Sequence, residues 1–143
     1  MIILVDFGSQ TAHLISRRIR ELGVECQIVN PEDALEKIKK EKVDGIIFSG
    51  GPADVFAKDA PSVDSEIFEL GIPILGICYG HQLIGYLLKG EVKTGSEKEF
   101  GPATLIITKP TNLLKGVPKI SSVWMSHGNE VTKIPEGFVD NAK

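Results

Sequence analysis

At 143 residues, with 42% apolar and 24% charged side chains, the chain has an ordinary globular composition, which excludes a disordered or fibrous polymer. Its formal charge of −3 excludes a generic binder of nucleic acid or of anionic membrane, because both need a basic surface; a small anionic ligand stays open. The two cysteines, Cys26 and Cys78, form no CxxC pair and have no histidine at ligand spacing, so neither a metal site nor a disulfide framework is expected, and the expected compartment is the reducing cytoplasm. The opening MIILVDFG has no basic n-region, and no run approaches the roughly 18 apolar residues of a membrane span.

Ile2 to Val5 is a continuous apolar run closed by DFGS, the pattern of a buried strand entering a loop. Ser9 is placed to cap a helix on which Leu14, Ile15, Arg18, Ile19 and Leu22 recur at helical spacing, and Gly23 ends it. A second strand is predicted over 25–29, a charged helix over 31–41, and a third strand over 43–48 that runs into SGGP. A helix over 62–70, a strand from Ile72 and a helix over 79–89 follow. Strands separated by helices of this length predict an α/β fold, an open and mostly parallel sheet with helices on both faces. Beyond Lys89 the pattern changes. GEVKTG, ATLIITK and ISSVWMS read as three short strands with turns between them, a small antiparallel flank. One domain over residues 1–143 is expected. Phe138 and Val139 look like the start of another element, so this domain is expected to be incomplete at its C-terminal end.

The stretch ILGICYGHQ sets Cys78 between a predicted strand and a predicted helix, with Gly76 two residues before it and Gly80 two after. This G-x-C-x-G pattern is the cysteine form of a nucleophile turn, whose glycines admit a strained apex and close strand–helix packing. Such an apex lies above the carboxyl edge of the sheet, where open α/β sheets bind ligands. A helix N-terminus favours a thiolate by only about 0.3–1 kcal/mol, so efficient attack would still need a general base. Taken alone, the pattern also fits a small core residue. Cys26, inside ECQIV, reads as core. FSGGP, residues 48–52, lets the backbone approach a ligand and suits one half of an oxyanion hole, with the N–H of Tyr79 as the other half; alone it reads sooner as a turn. Among the histidines, His81 sits three residues past Cys78 on the new helix, His13 lies within the first helix, and His127 is predicted in a loop after a strand.

These segments carry a family resemblance. GICYGHQ resembles the G-x-C-x-G-x-Q signature of class I glutamine amidotransferases, and FSGGP resembles the oxyanion strand of that family. DFGSQ followed by LISRRIRELGV, together with WMSHGNEV, is similar to the glutaminase portion found in GMP synthases, and the likeness covers essentially the whole chain. It implies the flavodoxin-like architecture of that family. It also implies that Cys78 attacks the side-chain amide of glutamine, that the N–H groups of Gly51 and Tyr79 hold the oxyanion, and that Gly50, Gln82, Ser126, His127 and Gly128 help hold the substrate. Ammonia would pass to an ATP-pyrophosphatase (synthetase) partner, subunit or domain, which uses ATP and Mg to aminate XMP; the glutaminase itself needs no cofactor and no metal. Two positions depart from the pattern. Thr11 stands where a tyrosine is usual, and Asn129 where the SHGD form has aspartate. The family's His and Glu belong to an HPE motif absent from these 143 residues, and neither His81 nor His127 is assigned their role. The alternatives are a non-catalytic partner or regulatory domain of the same fold, the glutaminase of another class I amidotransferase serving anthranilate or carbamoyl phosphate synthesis, and a cysteine hydrolase of another α/β family.

Overall fold

The computed structural model describes the backbone of residues 1–143 and every side chain except those of residues 96–100. The chain forms two compact units, Met1–Leu87 and Leu88–Lys143. The first contains β1 (Ile2–Val5), α1 (Ala12–Glu21), β2 (Cys26–Val29), α2 (Ala34–Lys40), β3 (Gly45–Phe48), β4 (Ile74–Gly76) and α3 (Tyr79–Leu87), with 3₁₀ turns at Pro31–Asp33 and Ser65–Glu69. Its four strands are all parallel, in the order β2-β1-β3-β4.

Burial on both faces explains the unbroken apolar runs. Ile3, Leu4 and Val5 of β1 are completely buried, and each such side chain contributes about 1.5–3 kcal/mol relative to exposure. One face carries Leu4 and Cys26, packed with Ala12, Ile15 and Ile19 of α1. On the opposite face Phe48 meets the ring of Phe68, from the 3₁₀ turn, at 6.1 Å. The turn is tied to α2 through the Lys39–Glu66 ion pair of 2.6 Å.

Several expectations need correcting. The buried side of α1 holds Ala12, Ile15, Ser16 and Ile19, a strict i, i+3, i+4, i+7 stripe, whereas Leu14 and Leu22 lie off it and are exposed. Thr11 rather than Ser9 takes the N-cap position; the Ser9 hydroxyl instead accepts the Thr11 N–H at 3.1 Å. Gly23 does end α1, with φ +79°, and the pair Gly23 N–H to Arg20 O and Val24 N–H to Ile19 O closes a Schellman motif. The helix expected over 62–70 is a single 3₁₀ segment, Ser65–Glu69, capped by the Asp64 carboxylate.

In the second unit, β5 (Glu91–Ile106) and β6 (Ile120–Lys133) form an antiparallel ribbon with irregular register between Thr94 and Glu99. The predicted GEVKTG and ATLIITK strands are thus one strand. Gly101 and Pro102 read as a turn in the sequence, but Gly101 adopts φ +142°, and in a two-stranded ribbon the missing donor of Pro102 can lie on the open edge. Residues 141–143 add a short pairing beside β5, including Lys143 N–H to Ile106 O at 2.9 Å.

Candidate active site

The connections leaving β1 and β3 diverge in opposite directions along the sheet, which makes the carboxyl ends of these strands the switch point at which open α/β sheets bind ligands, and β4 ends beside β3. Cys78 sits at that point. β4 stops at Gly76 and α3 begins at Tyr79, leaving Ile77 and Cys78 to make the whole reversal. The backbone of Cys78 is forced to φ +50°, a left-handed conformation that a side chain with a Cβ adopts only under strain. The thiol is exposed at the apex, while Cys26 is buried in the α1 face.

Glycines make this bend possible. A Cβ at Gly76 would lie 2.7 Å from the backbone of His81, and one at Gly80 would lie 2.5 Å from the Cβ and carbonyl oxygen of Phe48. The missing side chains let α3 press against the end of β3, where the Gly80 N–H donates to Ser49 O and the Ile77 N–H to Phe48 O, both at 3.0 Å. Beneath the bend, Tyr79 is fully buried, its ring 5.3 Å from that of Phe7, and its hydroxyl donates to Pro61 O at 2.5 Å. Burial, and secondarily the charge of Asp54, pushes the Tyr79 phenol above its usual range.

The Gly-Gly segment after β3 lies alongside. A Cβ built on Gly50 would be 3.5 Å from the Cβ of Cys78, and one on Gly51 would run into the carbonyl oxygen of Phe7. The backbone of Gly50 and Gly51 therefore passes directly between the first loop and the thiol-bearing bend. Tyr79 is the first residue of α3, so its N–H has no intrahelical acceptor. Gln82 lies one turn into α3; its N–H donates to Cys78 O at 3.0 Å, and its side chain is only 6% exposed.

The remaining candidates belong to the second unit. Ser126, His127 and Gly128 lie in β6, with Ser126 opposite Phe100 and His127 opposite Glu99 in the ladder. His127 was expected in a loop; the ribbon extends through it because β5 runs opposite WMSHGNEV, with the register irregular at Gly128, between the Glu99–His127 and Thr94–Asn129 pairs. The same unit holds an open cavity of about 660 Å³ along the segment that connects β5 to β6, lined by Thr108, Asn112 and Lys115 among others, and none of the site candidates lines it. Among the described residues no group of three or more His, Cys, Asp or Glu side chains is placed to hold a metal ion, and no helix is long and apolar enough to cross a membrane.

The profile of the family "Glutamine amidotransferase class-I" matches residues 3–143. The chain belongs to this family. Among relatives of this amidotransferase chain, the GMP synthase (glutamine-hydrolyzing) of Aquifex aeolicus is 53% identical over 137 residues, which is 96% of this chain and 27% of that protein. That of Lactobacillus gasseri is 52% identical over 143 residues, 99% of this chain and 28% of the relative. The chain thus spans about a quarter of the length of these relatives. A crystal structure of a Thermoplasma acidophilum protein, provisionally assigned as a GMP synthase subunit, superposes with a TM-score of 0.84 at 32% identity, covering 99% of this chain and 71% of the other. A Thermotoga maritima glutamine amidotransferase at 17% identity, with a TM-score of 0.70, shares the fold; the superposition covers 99% of this chain and 65% of the other.

Two site residues escaped the sequence reading. Asp6 accepts the N–H groups of Gly8 and Ser9, at 3.0 and 2.9 Å, and fixes the first loop. Ser49 is completely buried, its hydroxyl accepting the Phe7 N–H at 3.0 Å. An aspartate closing a strand ahead of Gly-Ser is a known loop-ordering signal and was available in DFGS. Nothing local marks Ser49, because its partner lies 42 residues away.

Proposed function

We propose that this chain is the glutaminase part of a GMP synthase, hydrolysing glutamine and supplying ammonia for the ATP-dependent amination of XMP. The observation that carries this reading is the exposed thiol of Cys78, held at φ +50° on a strand-to-helix bend against the Gly50 backbone. In the reaction, the Cys78 thiolate attacks the amide carbon of the glutamine side chain. The carbonyl oxygen gains the negative charge and is held by the N–H groups of Gly51 and Tyr79. Collapse breaks the C–N bond; ammonia leaves with a proton from a general acid, and a thioester remains. Water, activated by the same group as base, releases glutamate and returns the thiol.

The acid–base pair of this reading is the histidine and glutamate of the family's HPE motif, a motif that these 143 residues do not contain. Gly50, Gln82, Ser126, His127 and Gly128 are the proposed substrate contacts. The partner is an ATP-pyrophosphatase unit that binds ATP and Mg, and the compartment is the cytoplasm. Identities of 53% and 52% to GMP synthases support this assignment over other amidotransferases.

The test compares nitrogen sources in the full-length protein. Cys78→Ala is expected to abolish GMP formation from glutamine and leave GMP formation from ammonium salts intact, since the thiol serves only to liberate ammonia. Residues 1–143 alone should hydrolyse glutamine about 10²–10⁴-fold more slowly, the usual effect of a missing general base. Glutamine-dependent turnover by Cys78→Ala would refute the assignment.

A further inference from the structure

We propose that Ser49 is a positioning residue that fixes the orientation of the Gly50–Gly51 peptide, and so presents the Gly51 N–H to the oxyanion; this rests on the reading of Cys78 as the glutaminase nucleophile. The Ser49 hydroxyl lies 2.8 Å from Gly50 O and 3.4 Å from an oxygen of Asp6. A hydroxyl has one proton to donate, and 3.4 Å is beyond the usual O–H···O range, so the proton goes to Gly50 O. Its lone pairs face the Phe7 N–H at 3.0 Å. The Asp6 oxygen is already taken by the N–H groups of Gly8 and Ser9.

The consequence follows from peptide geometry. Gly50 O and the Gly51 N–H belong to one planar trans unit and point to opposite edges of it. Drawing the carbonyl inward onto a fully buried hydroxyl turns the N–H outward, on the side away from the core. Two glycines in succession have little intrinsic resistance to a flip of the peptide between them. Flipped, the unit would aim a carbonyl oxygen at the developing negative charge. The Ser49 bond opposes that flip, and the Phe7 N–H holds the Ser49 oxygen in place by tying it to the first loop.

The experiment uses the full-length protein with its synthetase activity present. In Ser49→Ala, kcat for glutamine hydrolysis is expected to fall about 10–100-fold with KM for glutamine changed less than about two-fold, short of the about 10²–10³ that removal of a whole oxyanion donor produces. The rate of Cys78 alkylation by iodoacetamide, followed by mass spectrometry, should stay within about two-fold of wild type, because displacement at that reagent's methylene builds no oxyanion. Ser49→Cys, which keeps the volume and a weak donor, should recover part of kcat, and it carries the same readouts if Ser49→Ala does not fold. A folded variant with unchanged kcat overturns the proposal, as does a parallel fall in kcat and alkylation, which would mean a displaced thiol. Cys78→Ala is run beside them: turnover surviving in that variant would remove the nucleophile assignment itself, whereas its loss together with an unaffected Ser49→Ala would remove only the role of Ser49.

Discussion

Gly80→Ala probes the contact on which the position of the thiol depends. The added Cβ would sit 2.5 Å from Phe48 Cβ and 2.5 Å from Phe48 O, whereas carbon contacts settle near 3.5–4.0 Å, so α3 must withdraw by roughly 1 Å. Neither obstacle can rotate away, since one is backbone and the other is the root of a buried ring. Overpacking of this kind costs about 1–3 kcal/mol. Withdrawal also weakens the 3.0 Å bond from the Gly80 N–H to Ser49 O, worth about 0.5–1.5 kcal/mol. Alanine recovers about 1 kcal/mol through helix propensity. The net loss is therefore about 2 kcal/mol, readable by urea denaturation followed by far-UV circular dichroism. Gly23→Ala is the control: its Cβ meets nothing within 4 Å, but φ is +79°, so backbone strain of about 1–2 kcal/mol, offset by about 0.5–1 kcal/mol of chain entropy that glycine alone loses, leaves a loss of about 0.5–1 kcal/mol. Both variants should be destabilised, Gly80→Ala the more, and only Gly80→Ala should lose activity. Moving the thiol about 1 Å from the Gly50 backbone should lower kcat for glutamine about 10²-fold in the full-length protein, while Gly23→Ala keeps wild-type turnover. If Gly80→Ala retains kcat within two-fold, or both variants lose activity alike, the close approach of α3 to β3 is not what sets the geometry.

Strain at Cys78 makes a second prediction: Cys78→Gly and Cys78→Ala are both inactive with glutamine, but the glycine variant is the more stable. A left-handed residue with a Cβ costs about 1–2 kcal/mol and glycine's extra chain entropy offsets about 0.5–1 kcal/mol, leaving a difference of about 0.5–1 kcal/mol, or about 2–4 °C per kcal/mol in a thermal melt. An alanine variant as stable as the glycine variant would show that the bend is unstrained. Third, Tyr79→Phe removes the 2.5 Å bond to Pro61 O and should lower stability by about 1 kcal/mol at neutral pH. Burial raises the Tyr79 pKa above its unfolded value near 10, so the folded state holds the proton more tightly and its contribution is intact below pH 10. That contribution is lost as pH rises through the folded value. The stability gap between wild type and Tyr79→Phe should therefore narrow above pH 10, and a gap that stays constant to pH 11 would contradict the assignment.

The parts of the fold that were legible in the sequence are those fixed by short-range constraints. Ile2 to Val5 announces a strand buried on both faces because every position in it is apolar, and Gly23 announces a helix end because only its φ closes the Schellman bonds. Where tertiary context decides, local reading failed. Leu14 and Leu22 have the right polarity for a buried stripe, yet the sheet accepts only the side carrying Ala12, Ile15 and Ile19. Gly101 and Pro102 are turn residues by any local rule, and it takes pairing with Met125 and Trp124 to hold them in a strand. His127 was misplaced with them, since a loop and a ribbon strand differ there only in whether a partner strand exists.

The bend at Cys78 was legible for a different reason. Gly76, Gly80 and Gly51 are needed because another backbone occupies the space of their Cβ atoms, whereas a Cβ at Gly50 would make only an ordinary 3.5 Å contact with Cys78. A site of this kind writes itself into the sequence as missing side chains, a negative that composition cannot hide. What holds its peptides in their working orientation is written otherwise, as ordinary polar residues such as Ser49 and Asp6 whose partners come from another strand end. Permissive glycines alone would leave the Gly50–Gly51 unit free to turn either way. Close approach and fixed orientation are separate requirements met by separate residues. Gly80→Ala should therefore disturb the rate of thiol alkylation as well as glutamine turnover, whereas Ser49→Ala should disturb turnover alone.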